Sequence, residues 1–149
     1  MKEETLTVSQ PFSELMIIRI GEIDAGLGLT EVQEVNDSID FTEVYAVLDC
    51  VRGVLNIRGE VITVLDLRTL LGIEATGPIP DQRVIIVNAG GERVGLLADS
   101  VLGVSEVQAQ QVESITYTSK GKQSYFSHVC HFDDRVVNVL DIAAILNPS

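Results

Sequence analysis

The sequence predicts a mainly β protein, built as two small packed barrels with a few short helices. Three observations predict it. The chain repeats itself, its apolar runs are short and β-branched with turn residues between them, and its helical signals are brief and fall at equivalent places. Val61-Ile-Thr-Val-Leu-Asp-Leu-Arg-Thr-Leu-Leu-Gly72 returns 75 positions later as Val136-Val-Asn-Val-Leu-Asp-Ile-Ala-Ala-Ile-Leu-Asn147. An earlier set recurs at an offset of 69: Met16-Ile17-Ile18 with Ile85-Ile86-Val87, Gly21 with Gly90, Gly26-Leu27 with Gly95-Leu96, Val32 and Val35 with Val101 and Val104. The blocks keep their order, so the chain reads as a duplicated unit, roughly 15–72 and 84–147, with residues 73–83 as connector. Features common to both copies read as architecture. Features of one copy alone are where a function can sit.

The elements follow in order. Residues 1–11 read as a flexible polar arm. Residues 15–20 form an aliphatic run of strand length. Thr30-Glu-Val-Gln-Glu-Val35 is short, and Thr30 is suited to cap a single helical turn. Residues 51–57 and 61–65 are β-branched runs around Arg58-Gly59, a hairpin signal in which Gly supplies a positive φ. Asp66 caps a short helix over 67–71, ended by Gly72. Two Pro and a Gly without periodicity mark the connector. Residues 83–87 and 94–98 are strands joined through Ala89-Gly90-Gly91-Glu92. Residues 117–124 read as a mobile polar loop. Residues 129–132 and 136–140 flank Asp133-Asp134, a third hairpin. Asp141 caps the last helix, 142–146, and Asn147-Pro148 stops it. Many short strands with frequent turns point to small barrels. Adjacent repeats need not each close their own barrel, because strands can be exchanged between them. Matching places for Asp66 and Asp141 predict matching costs when either is removed.

Composition narrows the function. At 149 residues the chain is one domain or two small, intimately packed ones. Hydrophobic content is 46% with mean hydropathy +0.27, enough for a core. Aromatics are 5% and Trp is absent, so that core is aliphatic. The net charge of −12 opposes binding to nucleic acid and to anionic membrane surfaces, and leaves protein partners open. Cys50 and Cys130 lie in no ligand-like spacing and read as reduced thiols in a cytoplasmic chain. The start lacks a basic region followed by an apolar run, and no apolar stretch approaches a membrane span.

Few residues offer chemistry. Ser127-His-Val-Cys-His-Phe-Asp133 gathers a hydroxyl, a thiol, two imidazoles and a carboxylate. In a strand, His128 and Cys130 share one face and His131 takes the other. A metal would need ligands from elsewhere, and a Cys–His nucleophile would need an oxyanion hole that the sequence does not indicate. Ala89-Gly90-Gly91 lacks the pattern of a phosphate loop. No catalytic residue, metal or cofactor is expected. An enzyme or a small-ligand or metal-binding protein using the 127–133 cluster is the alternative reading. The duplication is more informative. The hairpin tip reads Asn56-Ile-Arg58-Gly59 in one copy and His131-Phe-Asp133-Asp134 in the other. A rigidly presented Arg58 can anchor a partner carboxylate or pair with a local acid.

Gly53-Val-Leu-Asn-Ile-Arg-Gly-Glu-Val-Ile-Thr-Val-Leu-Asp-Leu-Arg68 strongly resembles the signature of the CheW family. The likeness runs from about residue 12 to 146. It takes in Val32-Gln-Glu-Val35, Gly95-Leu-Leu-Ala-Asp99 and Asp134-Arg-Val-Val-Asn-Val-Leu-Asp141. The resemblance implies two packed five-stranded β-barrels of SH3-like or OB-like type over residues 12–149. It implies a non-catalytic adaptor of bacterial chemosensory arrays. The expected partners are the cytoplasmic tips of methyl-accepting chemotaxis receptors and the regulatory domain of a CheA-like histidine kinase. The expected location is cytoplasmic, recruited to membrane-associated receptor arrays without membrane insertion. The lack of kinase, phosphotransfer and receiver sequence in the chain suggests a stand-alone adaptor. Transferred by position, Val32 and Val35 line a receptor groove, Leu97 and Ala98 form its other wall, and Glu34 flanks it. Gly53, Asn56, Arg58 and Gly59 shape a kinase- or receptor-facing hairpin, while Asp66 and Arg68 are structural. Thr63, His128 and Ala98 depart from the family pattern, the last making the groove wall shallower.

Overall fold

The computed structural model describes residues 12–37, 42, 49–74, 82–115 and 125–146. The expected arm (1–11), most of the connector, the loop at 117–124 and the stop at 147–148 lie outside the described residues. The first copy supplies β1 (Glu14–Ile20), β2 (Ile23–Gly28), a 3-10 turn (Leu29–Glu31), β3 (Val32–Asn36), β4 (Val51–Ile57), β5 (Glu60–Asp66) and α1 (Leu67–Leu71). The second supplies β6 (Arg83–Ala89), β7 (Glu92–Ala98), β8 (Ser100–Glu106), a 3-10 turn (Ala109–Gln111), β9 (Val112–Ser114), β10 (Phe126–His131), β11 (Val136–Leu140) and α2 (Ile142–Leu146). One expectation is corrected. Residues 30–35 are not a turn capped by Thr30. Thr30 lies inside the 3-10 turn, whose N-cap is Gly28, and Val32 already belongs to a strand. The ladder with β6 satisfies backbone groups that a lone helical turn would leave open.

Two sheets result, ordered β8-β1-β2-β11-β10-β9 and β3-β6-β7-β5-β4. Each sheet mixes the copies. The second copy's β8 pairs with β1, the first copy's β3 pairs with β6, and the parallel contacts β2–β11 and β5–β7 also join one copy to the other. Exchanging the copies maps one strand order onto the other, apart from β9. Neither copy completes a sheet by itself. Among the described residues the expected barrels are thus two packed sheets whose hydrogen-bond ladders stay open. A side-chain contact links the ends of the five-stranded one, because Arg58, in the turn after β4, bonds Glu34 on β3.

Three cores fill this frame. Met16, Ile18, Ile20 and Leu27 meet Ile85, Val87 and Leu96 in a central core between the sheets. Leu15, Ile17, Val137 and Val139 fill the six-stranded sheet, and Ile62, Val64, Val84, Ile86 and Leu97 fill the five-stranded one. Strands β1 and β6 therefore bury both faces, which is why they read as unbroken aliphatic runs and not as alternation. Each such Leu or Ile contributes about 1.5–3 kcal/mol on burial. The repeated Gly-Leu pair has a packing cause. A Cβ at Gly26 would lie 2.9 Å from Val137, and one at Gly95 would lie 2.8 Å from Val84. Each glycine admits the opposite side chain, while its neighbour, Leu27 or Leu96, enters the central core. Both cysteines are free and buried, and burial raises both thiols above their ordinary pKa, so neither is an activated nucleophile.

Candidate functional site

Strand β3 carries Val32, Glu34 and Val35 at a sheet edge. Residues three apart in a regular strand take opposite faces. A bulge between Val32 and Glu34 corrects this, so Val32 lies opposite Val87 and Val35 opposite Ile85, both central-core residues. Val32 packs against that core while Val35 stays 38% exposed. The other edge strand, β8, repeats the arrangement. A bulge sets Val101 opposite Ile18 and Val104 opposite Met16, and Val104 is 52% exposed. The expected second wall is elsewhere. Leu97 and Ala98 are 2% and 1% exposed, because β7 is an inner strand whose faces look into two cores. They are framework and not groove surface. A reading by family position missed both Val104, which is open, and Val101, which like Val32 packs partly against the central core. Their alignment with Val32 and Val35 was the signal that identifies them.

The β4–β5 hairpin forms as expected, with Arg58 at φ 50° and Gly59 at φ 85°. Two positive φ values give the mirror-image turn that suits strand twist. The Asn56 Oδ1 accepts the Gly59 N–H at 3.1 Å and fixes the tip, and Gly53 is buried beside a bulge in β4. The Arg58 Nη2 donates to Glu34 Oε1 at 2.8 Å, with the Arg58 side chain 77% exposed. That hydrogen bond, then the Glu34 charge, hold the guanidinium above its ordinary pKa. Strand β3 and the hairpin tip thus form one surface. Arg93, itself paired with Glu60, lines with Glu34 and Arg58 a small cavity of about 90 Å³.

The matching place in the second copy differs. Gly103 stands where Glu34 would be and Asp133 where Arg58 would be, so that closing pair is missing. A cavity of about 190 Å³ remains there, lined by Ile17, Leu102, Phe132 and Arg135 among others. The Glu60–Arg93 pair has a counterpart of reversed sign in Arg135–Asp24 at 3.7 Å. Val61 and Val136, equivalent residues, are 63% and 51% exposed. Two of the exposed apolar positions in each copy therefore recur in the other.

Both cap residues act as expected. The Asp66 Oδ1 accepts the Arg68 N–H at 3.0 Å, and Asp141 Oδ1 accepts the Ala144 N–H at 3.3 Å. The caps are not equal, because Asp66 Oδ2 also meets Arg52 Nη1 at 3.1 Å. Loss of a cap costs about 0.5–2 kcal/mol. Asp66→Ala should fall at the upper end of that range and Asp141→Ala at the lower end, by chemical denaturation.

The residues 127–133 do not converge. Cys130 is buried in the six-stranded core, His131 Nε2 faces Glu113 at 2.9 Å on the surface, Phe132 lines the cavity beside Leu102, and Ser127 and His128 border a different one. That cavity measures about 400 Å³ and also includes Phe12, Glu31, Asp141 and Ile142. Among the described residues no group of His, Cys, Asp and Glu is arranged to hold a metal ion, and no helix is long and apolar enough to cross a membrane.

Comparison with known proteins converges on one family. Residues 14–148 match the model of the CheW-like domain. The chain is 25% identical over 146 residues to the chemotaxis protein CheW of Klebsiella aerogenes, covering 95% of this chain and 84% of the relative. It is 29% identical over 137 residues to the chemotaxis protein CheW of Thermotoga maritima, covering 89% and 87%. The crystal structure of scaffolding protein TtCheW from Thermoanaerobacter tengcongensis superposes with a TM-score of 0.80 at 25% identity, over 87% of this chain and 88% of that one. Family model, relatives and fold agree over nearly the whole length, and the chain belongs to the CheW-like domain family, whose members are scaffolds and not enzymes.

Proposed function

We propose that this chain is a chemotaxis adaptor that couples methyl-accepting chemoreceptors to the regulatory domain of a CheA-like histidine kinase in a cytoplasmic, receptor-associated array. The observation that carries the reading is the recurrence of exposed valines on two equivalent edge strands, Val35 on β3 and Val104 on β8. Edge strands with apolar side chains are docking surfaces, and folds that keep them solvent-exposed without a partner invite aggregation. Val32 and Val35 contact the receptor tip, with Val101 and Val104 as the equivalent ledge of the other copy. The Arg58 tip, steadied by Glu34, supplies a charged contact. The net charge of −12 fits protein partners and opposes nucleic acid.

The test is pull-down of the purified chain with a receptor-tip fragment and, separately, with the kinase regulatory domain. Val35→Lys and Val32→Lys should keep the circular dichroism of the wild type. Both should lose roughly tenfold or more of receptor-fragment affinity, because a charge enters an apolar contact. Kinase-domain binding should change much less. Unaltered receptor binding by the folded variants would remove β3 from the interface.

A further inference from the structure

We propose that the cleft between the first 3-10 turn and β10–α2 is a docking slot for an arginine side chain carried by a protein partner. The proposal rests on the adaptor reading in one respect: the partner that covers β3 is the one placed to reach this cleft, since Glu31 directly precedes Val32.

The occupant is inferred from the other copy. Arg52 and Ser127 are equivalent residues, and each is the extra residue of a bulge at the same point of its hairpin, between Val51 and Gly53 and between Phe126 and His128. The carboxylates they approach, Asp66 and Asp141, are equivalent too, and their backbone N–H groups bond equivalent carbonyls, those of Cys50 and Tyr125. In the first copy the guanidinium of Arg52 sits on Asp66. In the second copy Ser127 is too short to do so, and the place is a cavity of about 400 Å³. A second carboxylate, the first copy's Glu31, also lines this cavity, and its equivalent in the second copy is the uncharged Ser100. The fold therefore displays, in one half, the group that the other half leaves room for.

The lining suits that group. Glu31 and Asp141 supply two carboxylates, Ser127 a hydroxyl, and Phe12 and Ile142 apolar walls for an aliphatic stem. The Ser127 Oγ lies 2.7 Å from His128 Nδ1, and the His128 ring meets Phe12 edge-on at 5.4 Å. Among the described residues no cation bonds Glu31. Burial, then the charge of Asp141, raise its pKa. A planar guanidinium can bond two carboxylates at once, which an ammonium does less well.

The first test needs no partner. Ser127→Arg rebuilds the first copy's arrangement, so it should raise the denaturation midpoint and bring the Glu31 titration, followed by carboxyl-carbon NMR, back toward the ordinary carboxylate value. Glu31→Gln removes one carboxylate and should be more stable than wild type at pH 7. A raised carboxylate pKa means the folded state binds more protons, so wild-type stability falls as pH rises through that window. The advantage of the variant should fade as the pH falls toward the ordinary Glu value, about 4, and be absent below it. The second test titrates N-acetyl-arginine amide, against its lysine analogue, into labelled protein. Amide shifts should concentrate at Glu31, Ser127 and Asp141, favour arginine, and weaken roughly tenfold or more in Glu31→Gln. Shifts that scatter, or that are equal in Glu31→Gln, overturn the slot. The third test is partner pull-down with Ser127→Arg, whose internal arginine should block binding roughly tenfold. If folded Ser127→Arg binds partners like wild type, the slot is overturned and the adaptor reading stands. If wild type binds no partner, the adaptor reading fails, and the arginine titration alone decides the cleft.

Discussion

Asp99→Ala is expected to cost about 3–5 kcal/mol of folding stability, the range for a buried charge left without its partner. The Asp99 Oδ1 accepts from Arg68 Nε at 2.9 Å, and Oδ2 accepts from Arg68 Nη2 at 2.6 Å. Oδ2 also accepts the Gly21 N–H at 2.7 Å, and both charged side chains are 12% exposed. Arg68 stands in α1 of the first copy and Asp99 between β7 and β8 of the second, while Gly21 turns the β1–β2 hairpin. The network therefore fastens the two copies to each other. Without Asp99 the Arg68 guanidinium is stranded, and so is the Gly21 donor. Among the described residues, the Arg68 guanidinium keeps only its bond to the Glu74 carbonyl, 2.7 Å. At this chain length the loss corresponds to a fall in Tm of roughly 10 °C or more. Asp99→Asn, which keeps an acceptor for Gly21, should cost less. A loss under about 1 kcal/mol for Asp99→Ala, by urea denaturation, would show that the pair does not hold the copies together.

Arg58→Glu is expected to give the largest loss of partner binding among single surface changes. The turn geometry does not depend on the guanidinium, and the second copy already carries Asp133 and Asp134 at the equivalent tip. The variant should fold, although it sets a new carboxylate beside Glu34. Binding should weaken by about tenfold or more, since a like charge now faces the partner's acidic group. The double variant Glu34→Arg, Arg58→Glu separates two causes. It restores an ion pair across the seam with its sign reversed. If the partner reads the cation itself, the double variant stays defective. If the pair serves only to close the sheet, the double variant recovers. Recovery to wild-type affinity would assign Glu34 and Arg58 a structural role and remove the hairpin from the interface.

Much of the fold was legible in the sequence because both copies repeat what packing requires. Asp66 and Asp141 announce their helices, Gly26 and Gly95 mark close approaches, and Arg58-Gly59 and Gly90-Gly91 mark hairpins. The exchange of β3 and β8 was foreseen only as a possibility. Strand pairing across copies is a long-range choice that local periodicity does not encode. The bulges at Gln33 and Leu102 were hidden for a related reason. Without them, Val32 and Val35 read as a helical pair, not as one face of an edge strand. Leu97 and Ala98 were misplaced because an apolar run adjoining a family motif looks the same whether it lines a groove or fills an inner strand. Burial follows from the strand order, which puts β7 between β6 and β5. The Glu34–Arg58 pair joins residues 24 apart on opposite edges of a sheet, and no spacing rule anticipates it.

A chain proposed to couple a receptor to a kinase should hold both in one complex. The most direct test immobilises a receptor-tip fragment, adds the kinase regulatory domain, and measures its retention with and without this chain. Retention is expected only when the chain is present, lost in Val35→Lys and reduced in Arg58→Glu. Kinase-domain retention that is the same with and without the folded wild-type chain would contradict it.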